Sequence, residues 1–145
     1  MLKLGMEAKL YRNTGTHAAP VWAEVGNVKD VTLSLEKGEA DVTVRANAGW
    51  RAKVGTLKEG TVEFEMIWDT ADAAFQAMKN AFFSDAALEM AVMDGPIAQS
   101  GSQGLRAAFS IIKFDRKEPL EEAITVSVSM SPTYADFAPE WMVVP

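Results

Sequence analysis

The 145-residue sequence contains no cysteine and a single histidine. Without cysteine there are no disulfides, thiolate metal sites, iron–sulfur clusters or thiol nucleophiles. One imidazole, His17, removes every mechanism that needs two. No uncharged apolar run approaches the ~20 residues of a bilayer-spanning helix. The opening residues 1–7 lack a basic region followed by an apolar stretch and a small-residue cleavage site. These absences set an expectation of no membrane and of residence in the cytoplasm, or in a particle assembled there. Phosphate-cradling patterns are missing too: Gly101-Ser102-Gln103-Gly104 lacks the Lys-Ser/Thr ending and the strand-to-helix setting that such loops require. Basic residues are also scarce. The 14 Lys and Arg against 20 Asp and Glu give a net charge of −6, the opposite of a footprint that grips a phosphate backbone.

What is present describes one domain over residues 1–145. With 48% hydrophobic and 23% charged residues, the chain has the make-up of a globular protein of a size that supports one core. The charge is unevenly spread. Residues 1–60 carry nine bases and seven acids, whereas residues 61–145 carry five bases and thirteen acids. Arg45, Arg51, Lys53 and Lys58 fall in a stretch with no acid between Asp41 and Glu59. A solvated loop explains such a cluster. So does head-to-tail self-association, in which a basic segment of one copy meets an acidic surface of the next.

Apolar residues mostly alternate with polar ones, the strand pattern. Residues 7–11 open with a short strand, and polar, turn-rich residues 13–17 follow. In 28–35, Val31, Leu33 and Leu35 share a face; residues 36–39 read as a turn and 41–46 as a returning strand with Val42 and Val44 together. A long connection over about 47–60, with three glycines, Trp50 and the basic residues, reads as an extended arm. Val62, Phe64, Met66 and Trp68 then line the apolar side of a strand whose other side shows Glu63 and Glu65. The period changes after Asp69 or Thr70, either of which suits an N-cap, and alanine-rich residues 71–82 form a helix. Alternation returns over 88–92, 105–114 and 123–130, the last placing Thr125, Ser127 and Ser129 opposite Ile124, Val126, Val128 and Met130. About seven strands and one helix imply a mainly β fold, an antiparallel β-sandwich or partly closed barrel with a flanking α-helix.

No constellation supports catalysis, a metal or a cofactor. His17 lies in a polar loop whose nearest acid in sequence is Glu24, which fits a surface histidine better than a catalytic base. Glu63/Glu65 and Glu121/Glu122 are paired carboxylates, but neighbours two apart on a strand line one face rather than oppose each other across a cleft. The four tryptophans fit core or interface anchors.

The segment 21–33, the strand 40–45, the Gly49-Trp50 loop and the strand 62–69 running into an alanine-rich helix resemble the tail tube (major tail) proteins of long-tailed bacteriophages. The resemblance covers residues 21–83. It implies a β-sandwich with a flanking helix, assembled as hexameric rings that stack into the tube through which the genome leaves the capsid, in a virion assembled in the host cytoplasm. Partners would be other copies of the chain, a tape-measure protein, and tail terminator and baseplate proteins. The arm would contact a neighbouring ring through Arg45, Trp50, Arg51, Lys53 and Lys58. A conduit that passes DNA without holding it favours an acidic or small-polar lining. Asp41, Thr43, Glu63, Glu65, Thr125, Ser127 and Ser129 are its candidates. The tube of a contractile injection or secretion system or of a gene transfer agent shares this architecture; a monomeric β-sandwich binding module is the alternative of a different class.

Overall fold

Alternating apolar residues become strands where one face meets the core, and with shorter or fully wetted strands the described residues form eight. A computed structural model describes residues 2–145. The elements are β1 (Lys9–Asn13), β2 (Trp22–Glu24), β3 (Val28–Asp41), β4 (Lys53–Ile67), α1 (Ala73–Ser84), β5 (Leu88–Met93), β6 (Gln103–Lys117), β7 (Thr125–Pro132) and β8 (Glu140–Val143). All join one antiparallel sheet in the order β2-β1-β5-β6-β7-β4-β3, with β8 beside β6. Among the described residues the sheet does not close, since β2 and β3 each have one neighbour only.

The 15-residue β6 makes this single sheet behave as two leaves. Its first half pairs with β5 from Gly104 to Phe109, and its second half pairs with β7 from Phe109 to Lys117. The two pairings overlap at Phe109 alone, so the strand leaves one leaf as it enters the other, a known way of turning a sheet corner. At the start of β6, well before the corner, the backbone makes an approach that only glycine permits. A Cβ on Gly104 would overlap the carbonyl of Val92 on β5. Just past the turn, Ile112 is an extra residue between the pairs Ile111↔Met130 and Lys113↔Ser129. This bulge reverses the alternation, so Phe114 points inward and Lys113, Asp115 and Lys117 outward.

The core lies between the leaves. Leu10, Met90, Leu105, Ala107 and Phe109 meet Val62, Phe64, Met66, Val126, Val128 and Met130, and α1 adds Phe75, Met78 and Ala81. Each large side chain buried there stabilises the fold by about 1.5–3 kcal/mol. Trp68 packs edge-on against Phe75 with centroids 4.7 Å apart. The helix starts later than the sequence suggests. Asp72 is the N-cap, its Oδ2 accepting from the Phe75 amide at 2.9 Å, while Asp69 accepts from Ala71 and shapes the preceding turn.

A larger difference concerns residues 36–60. The expected turn at 36–39 is continuous strand in β3, and 53–60 belong to β4, so the expected loop over about 47–60 is instead one arm and part of the tip of a long hairpin. The chain turns at 42–52. The polar, glycine-containing stretch resembles a turn because water bathes both of its faces and no apolar alternation is required. Gly38 marks a bulge opposite Thr56 and Leu57, where a Cβ would come within 2.6 Å of the Thr56 hydroxyl. Pairing of β4 with β7 ends at Val62↔Met130, so among the described residues the hairpin beyond has no strand on either side. From Leu35↔Gly60 to Asp41↔Lys53 it projects about 20 Å.

Candidate assembly interface

The leaf β3-β4-β7-β6 turns a polar face away from the core. In register across β3, β4, β7 and β6 run Thr32, Glu63, Ser129 and Lys113, and in the next row Lys29, Glu65, Ser127 and Asp115. Ile67, Thr125 and Lys117 continue the pattern. Five of the seven candidate lining residues therefore share one face: Glu63, Glu65, Thr125, Ser127 and Ser129. Asp41 and Thr43 do not. They sit at the far end of the hairpin, where hydrogen bonding from Thr43, its side chain and then its amide, holds the Asp41 carboxyl below its usual range. The shared face is less acidic than the sequence suggests, because the bulge at Ile112 brings Lys113 and Lys117 onto it. Glu65 lies 3.7 Å from Lys29 and 4.0 Å from Lys117, and Lys113 pairs with Asp115 at 3.3 Å. Across these rows three acids meet three lysines, and small hydroxyl side chains fill the space between them; toward the hairpin, Glu36 opposes Glu59 on the same side.

Both edges of this leaf are open among the described residues. β3 pairs with β4 alone, and the second half of β6 has no strand on the side that β5 covers in the first half. Each open edge carries a bulge, at Asp30 (φ +53°) in β3 and at Ile112 in β6. Bulges discourage indiscriminate strand pairing, but they leave free backbone groups for a matched partner.

The hairpin tip is a third exposed surface. A 3-10 turn at Arg45–Asn47, followed by Ala48 and Gly49 with positive φ, reverses the chain. The Thr43 hydroxyl accepts from the Ala52 amide at 2.9 Å, and the Trp50 amide donates to the Asn47 carbonyl at 3.0 Å. Backbone is thus tied while apolar side chains stand in water: Trp50 is 78% exposed, and Val42 and Val44 are exposed beside it. Arg45, Trp50 and Arg51 belong to this tip. Lys53 lies at its base and pairs with Glu39 at 3.2 Å. Lys58 is farther back, at the hairpin root, directly opposite Lys37.

A family model for phage tail tube proteins matches residues 7–133. The chain belongs to the phage tail tube protein family. Solved structures show the same fold. The tail of an empty gene transfer agent particle, refined with C6 symmetry, aligns with a TM-score of 0.75 at 14% identity over 98% of this chain and 100% of that one. The virion of a native gene transfer agent particle gives 0.73 at 14% identity with the same coverage. The SPP1 tail tube gives 0.70 at 13% identity over 90% of this chain and 75% of that one. No curated protein sequence matches. This tail tube protein is a structural component of the virion tail.

One polar cluster of the tail tube protein lies beyond what its sequence discloses. Glu89 on β5 accepts hydrogen bonds from Asn13 at 2.9 Å, from Arg106 on β6, and from His17 Nδ1 at 2.9 Å. Arg106 also donates to the His17 carbonyl at 2.8 Å and lies 5.2 Å from the Trp22 ring centre. The Glu89 bond requires the proton on Nδ1, so the 3.1 Å approach of Arg106 Nη2 to that nitrogen is packing rather than a second hydrogen bond. Burial pushes the Glu89 carboxyl pKa up, and the bonds from His17, Asn13 and Arg106 with the Arg106 charge more than offset this, leaving it below the usual glutamate range. The partners come from positions 13, 17, 89 and 106, and spacing along the chain carries no sign of them. His17, expected as a surface histidine, is partly exposed and also tethers the 14–21 loop onto the sheet.

Proposed function

We propose that copies of this chain join edge to edge, the β3 edge of one meeting the free β6 edge of the next, into rings that stack as the wall of a DNA conduit. The observation that carries this reading is the four-stranded leaf with both edges open and one predominantly polar face. Ring closure pairs the two open edges of this leaf at once, which an isolated monomer leaves to water. Six copies form the ring in this reading, after the symmetry stated for the gene transfer agent tail. Glu63, Glu65, Thr125, Ser127 and Ser129 then line the channel with Lys29, Lys113, Asp115 and Lys117. Their balanced charges and short hydroxyls offer DNA neither a cationic track nor an aromatic platform. Asp41 and Thr43 lie outside the lining and act with the hairpin tip, where Val44, Arg45, Trp50 and Arg51 contact an adjacent copy. Tape-measure, terminator and baseplate proteins are the other partners of such a tube.

A gene transfer agent tail is the second reading within this class. Supporting it is the full coverage of that particle's tail chain, compared with three quarters of the SPP1 chain. Concentrating the purified protein and imaging it by negative stain tests the main proposal. Rings or tubes with an axial hole are expected; a strictly monomeric sedimentation profile at every concentration overturns it.

A further inference from the structure

The polar leaf ends differently at its two ends. At the root of the hairpin, Leu35, Leu105, Pro132, Pro139 and Trp141 line an open groove of about 730 Å³. The groove lies where the inward face of the leaf runs out from the core. A Cβ on Gly60 would stand 3.2 Å from Leu35 and 3.5 Å from Pro132, so the missing side chain keeps the floor low. Lys37 and Lys58 stand at this groove directly opposite each other in the ladder. Like charges in that position repel. Among the described residues no carboxylate pairs with either of them. Glu36, Glu59 and Glu140 border the groove too, but Glu36 and Glu59 alternate onto the other face of the ribbon and Glu140 pairs with Arg106, so the apolar floor shares its face with Lys37 and Lys58.

The opposite end carries the complement. The loop between β6 and β7 follows Lys117 and precedes Thr125, at the end of the leaf where Ile67 pairs with Thr125. Leu120 in this loop is 100% exposed. Glu118, Glu121 and Glu122 surround it; Glu118 pairs with Arg116 at 3.1 Å, whereas Glu121 and Glu122 have no ion-pair partner among the described residues. From Gly60 to Ile67 the two ends lie about 23 Å apart along β4. They cannot meet within one molecule.

We infer that the Leu120 loop of one copy docks in the hairpin-root groove of a second copy, its leucine on the apolar floor and Glu121 and Glu122 beside Lys37 and Lys58. The contact joins unlike ends, so it repeats along the strand direction and gives the assembly a polarity. This inference rests on the self-assembly proposed above and identifies the axial contact within it.

Charge exchange tests it. Lys37→Glu with Lys58→Glu, or Glu121→Lys with Glu122→Lys, is expected to raise the concentration at which tubes appear by about tenfold or more, and the four substitutions together to return it close to the parent value. Leu120→Asp is expected to raise it similarly without lowering the melting temperature. Reversed pairs that assemble like the parent, or a fourfold variant no better than either pair, overturn the contact. Because the chain has no cysteine, Pro119→Cys and Pro139→Cys chains of different tag length form a second test with a short thiol-to-thiol cross-linker. Products between unlike chains support the contact, and tubes in which only like chains cross-link, or none do, overturn it. A parent chain that never assembles instead overturns the self-assembly proposal itself.

Discussion

His17 stacks face to face on Phe137, with ring centroids 3.7 Å apart and planes 8° from parallel. The imidazole is held by Glu89, so the stack fastens the segment between β7 and β8 to a fixed point of the sheet. Glu140, next to Pro139 and Trp141 of the groove wall, adds a second tie to Arg106 at 3.7 Å. Phe137→Ala is therefore expected to loosen β8 before it harms the core. Loss of the aromatic pair costs about 0.5–1.5 kcal/mol beyond the buried area. Amide exchange at Met142 and Val143 should quicken by about tenfold, while amides of β4 and β7 keep their protection.

The Glu89 cluster also gives stability a dependence on pH. Its carboxyl pKa is lower in the folded protein than in the unfolded chain, so the contribution is fully present above the ordinary glutamate pKa near 4.3 and lost as pH falls through the lower folded value. Denaturant midpoints measured from pH 6 down to pH 3 should fall for the parent protein. Glu89→Gln should begin from a lower midpoint and show a shallower decline below pH 4.5; an unchanged slope would remove Glu89 from the acid response.

Much of this architecture is legible in the sequence for a definite reason. Residues 62–68 and 124–130 alternate because each strand has one face in the core, and alternation is what burial on one side requires. Where that condition fails, so does the reading. β2 and β8 have three and four residues, too few to show a period. The arms of the hairpin are wet on both faces, which disguised strand as turn at 36–39 and as loop at 53–60. The bulge at Ile112 decides which way Lys113, Asp115 and Lys117 face, and the run Ser110-Ile111-Ile112-Lys113 does not disclose it. The Glu89 cluster joins residues up to 89 positions apart.

The helix cap offers a test of local structure. Removing the Asp72 carboxylate leaves the Phe75 amide without its partner, at a cost of about 1 kcal/mol. Asp72→Ala should lower the melting temperature by about 2–6 °C, and Asp69→Ala should cost less, since its bond to Ala71 precedes the first helical turn. Equal losses would mean that the turn and the cap act as one unit.

The hairpin tip should separate folding from assembly. Trp50 and Val44 make no contribution to the core, so Trp50→Ala with Val44→Ser is expected to leave the melting temperature within about 1–2 °C of the parent and to prevent tube formation. Arg51→Glu should weaken assembly in the same way. Lys53→Glu should act differently, because it replaces the pairing with Glu39 by repulsion and so frays the hairpin itself. Circular dichroism and sedimentation on the same samples distinguish the two effects. Tubes of normal length from the Trp50/Val44 variant would show that the tip plays no part in contact between copies.

The polar face makes the last prediction, and the balance of charge on it sets the direction. Glu63 has no ion pair among the described residues, while Glu65 compensates Lys29 and Lys117. Glu63→Lys with Glu65→Lys shifts the face by four positive charges and leaves five lysines facing one acid, Asp115, in the rows around these positions. Both positions are on a solvent-facing side of the sheet, so the fold and the tubes should persist. What should change is adhesion: a channel lined this way binds the phosphate backbone, with an affinity that falls steeply as salt rises. Double-stranded DNA should be retained by variant particles at low salt and leave them slowly, and raising the salt should restore the parent rate. Ejection at the parent rate in low salt would place this face on the outside of the tube, and with it Thr125, Ser127 and Ser129.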